Sequence, residues 1–281
     1  MNQYPDISIA QNGYVFPNFS YFPLYPNILR FVNLIFNNYL VTGFLVSIII
    51  IILGIIVFKK LIELDHSSKV SRLAIISLLL YPTSFFFITP NSSSLFFLLA
   101  VSAFYLVRKK KWWLACVLGM LASYTNFVGI FLLPSFFIEW WGYDRKLKNL
   151  IYLLLIPFGL FIYMWYLSQT TGNPIAFYVQ TQDKLVLIYQ VFWRYIKMLA
   201  TVDFQSQIYL NIIFEFVSAI LFTILAVYSF TKQRLSYSLF NLSLFLFSSF
   251  SGSFNLLPGY IIFCFPSFIL IAQYLHEKQT P

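Results

Sequence analysis

Residues 112–141 read WWLACVLGMLASYTNFVGIFLLPSFFIEWW, an apolar run interrupted only by a Tyr-Thr-Asn knot at 124–126. As one helix this run would be about 45 Å long, well beyond a hydrocarbon core of roughly 30 Å. Folded back at Thr125–Asn126, it returns to the side it left. The placement of Lys and Arg decides between the two. With the hairpin, Lys59, Lys60, Lys69, Arg72, the 108–111 cluster, Arg145, Lys146, Lys148, Lys232, Arg234 and Lys278 share one side. Arg30, Lys184, Arg194 and Lys197 lie on the other, 14 against 4; a single helix gives 11 against 7. Basic residues collect on the cytoplasmic side of membrane proteins, so the hairpin is expected. Trp112, Trp113, Trp140 and Trp141 then form a belt at one interface.

The composition agrees with a membrane reading. Of 281 residues, 60% are hydrophobic and 10% charged, more apolar surface than a soluble chain of this size can hide. The expected fold is all-α, a single polytopic domain over residues 1–281. Its nine apolar runs are Val41–Phe58, Leu73–Pro90, Ser94–Val107, Trp112–Tyr124, Phe127–Trp141, Leu150–Ser168, Ile208–Phe230, Leu235–Phe250 and Pro258–Leu275. The net charge of +9 sits in clusters at the ends of these runs, so topology explains it and no nucleic acid is expected as partner. Cys116 and Cys264 lie in separate apolar runs and His66 and His276 in basic flanks, which spells no metal site. No dinucleotide fingerprint, phosphate loop or nucleophile elbow is present, and the first residues do not form a signal peptide.

This topology puts residues 1–40, residues 169–207 and the short loops at Asn91, Asn126 and Ser253 outside. Two outer stretches carry a narrow polar stripe on an apolar cylinder, as expected of helices lying on a membrane. One bears Asn27, Arg30, Asn33 and Asn37; the other Gln190, Arg194, Lys197 and Thr201. The runs Ser94–Val107 and Trp112–Tyr124 are short. Anchored inside by RKKKWW, they end below the outer headgroups at TPNSSS (89–94) and YTN (124–126). Polar backbone at that depth needs a watery cavity or burial in protein. The reading is an outward-facing vestibule; the alternative is that these helices extend through NSSS and tilt.

The chain contains the segments ISIAQNGY (7–14), FPLYP (22–26), YPTSFFF (81–87), the stretch from SLFFLLAVSAFY (94–105) to FVGIFLLP (127–134), GNPIAFYVQ (172–180) and LLPGYIIFCFPSFIL (256–270). Together they resemble the multi-pass GT-C glycosyltransferases, specifically the PIG-V-like mannosyltransferases and their bacterial relatives. The resemblance implies transfer of a sugar from a polyprenyl-phosphate carrier to an unknown acceptor outside the cytoplasm, in the plasma membrane if the chain is bacterial. An acid of the first outer loop would act as general base, with basic or metal-bound groups at the departing phosphate. No resident cofactor is expected; a divalent metal stays open.

The family's charged positions are not retained. Its WD pair falls on Met1 and Asn2, a glutamate on Ser93, and two arginines on Asn126 and Gly259. Its first transmembrane helix is also missing. Two readings stay open: a truncated reading frame, or a divergent member that binds lipid-linked sugar or a partner protein without catalysis. Asp6, at the position of a family tyrosine, is the candidate base, or else a solvated loop carboxylate. Tyr14 and Tyr25, with Tyr21, are candidates for stacking on a sugar, and Ser93 and Asn126 for lining its site. Arg194 and Lys197 suit either a donor phosphate or anionic headgroups. Asp183 is expected to cap the second outer helix, which Asp203 closes. Glu215, inside a span, is expected to be protonated, hydrogen-bonded or facing the vestibule.

Overall fold

Prolines and short polar knots set the helix lengths more tightly than hydropathy does. The computed structural model describes residues 4–179, 186–250 and 252–279, and all regular structure among them is helical. The chain begins with α1 (Pro5–Asn12), α2 (Leu24–Phe36), α3 (Tyr39–Ile62) and α4 (Ser68–Leu80). A proline disfavours helical backbone at the residue before it. Pro82 accordingly leaves Tyr81 extended, ends α4, and opens a 3₁₀ turn over Pro82–Phe87. Then come α5 (Ser93–Arg108), α6 (Trp112–Ser123), a 3₁₀ turn Phe127–Phe131, α7 (Leu132–Tyr143), α8 (Leu147–Leu153) and α9 (Leu155–Thr171). The rest is α10 (Ala176–Val179), α11 (Ile188–Thr201), α12 (Gln207–Lys232), α13 (Leu235–Ser249), α14 (Leu257–Ile261) and α15 (Phe265–Gln279).

The run 112–141 is a hairpin. Asn126 is extended and caps the following turn, its Oδ1 accepting from Val128 N at 3.2 Å. The two ends of the run come together, because Trp112 Nε1 donates to Asp144 Oδ2 at 2.8 Å. Of the belt residues, Trp113 and Trp141 are exposed, while Trp112 and Trp140 are buried.

All nine apolar runs are helical over most of their length. Only three helices among the described residues, however, are long and apolar enough to cross a membrane: α3, α8–α9 (Leu147–Thr171) and α12. That is fewer than the nine expected. The difference arises because hydropathy counts residues that backbone geometry removes from the helix. Leu73–Pro90 is α-helical only to Leu80 and continues as the separate 3₁₀ turn Pro82–Phe87, and Pro258–Leu275 is divided between α14 and α15. Helix α5 has 16 residues and α6 has 12. Those are lengths of about 24 and 18 Å.

Small residues let the short helices approach. A Cβ on Gly159 of α9 would lie 2.1 Å from Met120 O of α6, so only glycine permits this crossing. Phe104 of α5 centres an aromatic core, edge-to-face with Phe136, Tyr237, Phe240 and Phe265 at 5.0–5.3 Å. One end of the bundle is basic and stitched by ion pairs. Arg108 binds Asp65 through both terminal nitrogens, Nη2 at 2.7 Å, and Arg234 reaches Glu139 at 3.1 Å. Ser236 Oγ donates to the same buried Glu139 at 2.6 Å. The polar knots 89–94 and 124–126 lie at the other end.

Candidate functional site

At that other end the short helices stop around a cavity of about 590 Å³. Its polar side is formed by Asp6, Asn91, Ser92, Ser93, Thr125 and Asn126. Its aromatic side includes Tyr21, Phe22, Phe86, Phe127, Phe177 and Tyr260. Gly259 lines it as well, and a Cβ there would meet only Phe86 Cε2, at 3.8 Å. Ser93, Asn126 and Gly259 therefore share one cavity with Asp6. Met1 and Asn2 lie outside the described residues.

The knot TPNSSS is built by its own side chains. Asn91 Nδ2 donates to Thr89 Oγ1 at 2.7 Å, and Asn91 Oδ1 accepts from Ser93 N at 2.8 Å, which starts α5. Pro90 packs on Gly43 of α3, where a Cβ would come within 2.6 Å. Ser47 Oγ of α3 donates to Thr89 O at 2.9 Å. Tyr25 completes the brace, its hydroxyl 2.7 Å from Ser47 Oγ and donating to Gly43 O at 3.2 Å. Tyr25 is fully buried and does not line the cavity. Its place is behind the wall.

Asp6 follows Pro5 in the first turn of α1 and is 1% exposed. Neither carboxylate oxygen has a hydrogen-bond partner. Burial pushes its proton affinity up to about 7; the Ser92 backbone leans toward it, short of hydrogen-bond geometry, and offsets only part of the rise. A carboxyl held in this way exchanges a proton near neutrality, as a general acid or base must. Among the described residues no cationic side chain lines the cavity, and Asp6 is its one acid.

The remaining candidates lie elsewhere. Tyr14 packs beside Phe19, Tyr163 and Tyr166, with its hydroxyl donating to Tyr21 O at 3.0 Å. Arg194 donates to Gly252 O at 2.6 Å, and Lys197 lies over the Trp193 ring at 5.7 Å. None of these three lines the cavity. Glu215 accepts a short hydrogen bond from Tyr195, whose hydroxyl also accepts from Phe254 N. It serves to pin α11 to α12. Asp203 shapes the turn before α12, accepting from Gln205 N at 3.1 Å, and Asp183 lies outside the described residues. No group of three metal-ligating side chains occurs among the described residues.

Sequence reasoning did not single out the aromatic wall. Phe127, Phe177, Phe247 and Tyr260 converge from four elements, and a chain with 34 Phe and 20 Tyr offers no local signal for which rings will meet. On α2, Asn27, Arg30 and Asn37 of the polar stripe are exposed and Asn33 is half-buried, and two of the four reach neighbouring helices. Thr42 Oγ1 donates to Asn33 Oδ1 at 3.1 Å and Arg30 binds carbonyls of α1, while Phe31, Leu34 and Ile35 are three-quarters exposed. Among family models, curated proteins and solved structures, none matches this chain.

Proposed function

We propose that this chain is a polytopic membrane glycosyltransferase of GT-C type that moves a hexose, mannosyl in the first instance, from a polyprenyl-phosphate carrier to an acceptor outside the cytoplasm. In this reading the shorter helices also traverse the bilayer, with the basic end in the cytoplasm and the cavity opening outward. A lipid-linked donor keeps its tail in the bilayer and its sugar at the interface, which suits a cavity set below the tips of short helices. The acceptor oxygen attacks the sugar's C1, and the bond from C1 to the phosphate oxygen breaks. The polyprenyl phosphate leaves with that electron pair. Asp6 takes the proton of the attacking hydroxyl.

The observation that carries this reading is a buried, unpartnered carboxyl in the wall of a cavity of about 590 Å³. A second reading is favoured by the absence of a cation from that wall among the described residues: the cavity binds a lipid-linked sugar without transferring it. The test is release of polyprenyl phosphate from polyprenyl-phosphate hexoses by the full chain in liposomes. Transfer that falls in Asp6→Asn by roughly 10²–10⁴-fold, the range of a lost general base, supports the enzyme. Donor binding without turnover, unchanged by that substitution, supports the binding protein instead.

A further inference from the structure

Arg30 lies on α2, outside the cavity and outside every role given above. Its Nε donates to Ala10 O at 2.9 Å and its Nη2 to Ile9 O at 2.6 Å. Both carbonyls belong to the last turn of α1, where a helix leaves its carbonyl groups short of partners and where the dipole favours a cation. Gly13 ends α1 with φ +81°, its N–H returning to Ile9 O at 2.9 Å. At the other end of α1, Tyr4 makes no side-chain cap bond and packs edge-to-face on Phe44 at 6.1 Å. Asp6 is one helical turn from the two carbonyls that Arg30 holds.

We propose that Arg30 is the positioning residue of Asp6: its forked grip on Ile9 and Ala10 fixes the roll of α1 and so holds the carboxyl in the cavity wall. The proposal rests on Asp6 being the working carboxyl of the cavity. The action is geometric, since burial and the Ser92 backbone set the proton affinity of Asp6 and the guanidinium does not act on it directly. The titratable groups that feel the Asp6 charge are Tyr14, Tyr21 and Tyr25, all pushed up by burial and uncharged near neutrality. The helices packed on α1 are α2, whose one charge is Arg30, and α3, whose charges Lys59 and Lys60 lie in its last turn; the Ser92 backbone precedes α5. Loss of the grip would let α1 roll and expose Asp6 to water.

Infrared titration of the full chain in nanodiscs reads this without any substrate. The band of protonated Asp6 is identified by its loss in Asp6→Asn. The expected wild-type midpoint is about 7. Arg30→Met moves it toward the ordinary carboxylate value of about 4. Arg30→Lys, which offers a point charge in place of a fork, gives an intermediate midpoint. Asn33→Ala, which loosens α2 from α3 without touching α1, leaves the midpoint at the wild-type value. A helical Arg30→Met protein that titrates like the wild type overturns the proposal. If that variant does not fold, a wild-type midpoint in Arg30→Lys overturns it. Absence of sugar transfer would overturn the enzyme reading alone, because the titration needs no turnover.

Discussion

Replacing Asp6 by asparagine removes a charge from a place where charge is costly, so the effect on stability must depend on pH. The carboxyl is 1% exposed, without a partner, and raised from 3.8 to about 7. A carboxyl raised on folding binds its proton more tightly in the folded than in the unfolded chain. Stability is therefore lost as pH rises from the unfolded value to the folded one, and is flat outside that window. A rise of about three units at 1.36 kcal/mol each corresponds to about 4 kcal/mol, an upper figure for a site beside a cavity that admits water. Asparagine cannot ionise, and any fixed cost of burying its amide is the same at every pH. The stability difference between Asp6→Asn and wild type should thus move in favour of the variant by up to about 4 kcal/mol between about pH 4 and 7, then hold steady. Chemical unfolding in a mild detergent, followed by tryptophan fluorescence across that range, measures it. A difference independent of pH would mean that Asp6 titrates as a solvated carboxylate, and the reasoning about the cavity wall would fail.

Three other outcomes follow from the packing. Tyr25→Phe removes the hydroxyl that braces Ser47 and Gly43 behind the TPNSSS knot, and should cost about 1–3 kcal/mol for the buried partners left behind, with faster hydrogen exchange at residues 89–93. Gly159→Ala forces a methyl to within 2.1 Å of Met120 O; backbone must shift, so the variant should lose at least about 1–3 kcal/mol, read as a drop in melting temperature. At the basic end the Arg108 hydrogen bond and charge hold the Asp65 carboxyl below its ordinary range. That stability is present above the unfolded value and lost as pH falls through the lower folded one. Asp65→Asn should therefore destabilise at neutral pH and progressively less in acid, measured by the same unfolding experiment.

How legible the fold was in the sequence depended on the kind of signal. The hairpin at Thr125–Asn126 could be read because charge placement is a property of the whole chain, and one wrong crossing inverts everything after it. The TPNSSS knot was visible as polar residues with nowhere dry to go. Helix ends were less visible, because hydropathy is blind to the backbone turn that Pro82 imposes. The spacing of Asn27, Arg30, Asn33 and Asn37 fixed a shared face of α2 and not which of these residues would bond to neighbouring helices. The structure turns Arg30 and Asn33 toward α1 and α3. Tyr25, proposed from sequence as a sugar contact, is a buried strut, whereas Ser93 and Asn126 do line the cavity. Local sequence cannot tell a tyrosine in front of a wall from one behind it.

The central claim is that Ser93 and Asn126 line one outward-opening cavity, with Asp6 buried in its wall, at the end of the bundle opposite the basic cluster. It is tested most directly by single cysteines in sealed right-side-out vesicles, with the buried Cys116 and Cys264 replaced by alanine. A membrane-impermeant maleimide added outside should label Ser93→Cys and Asn126→Cys, and should reach Lys110→Cys only after the vesicles are opened. Labelling of Lys110→Cys from the same side as the other two, or no labelling of Ser93→Cys and Asn126→Cys in opened vesicles, would contradict it.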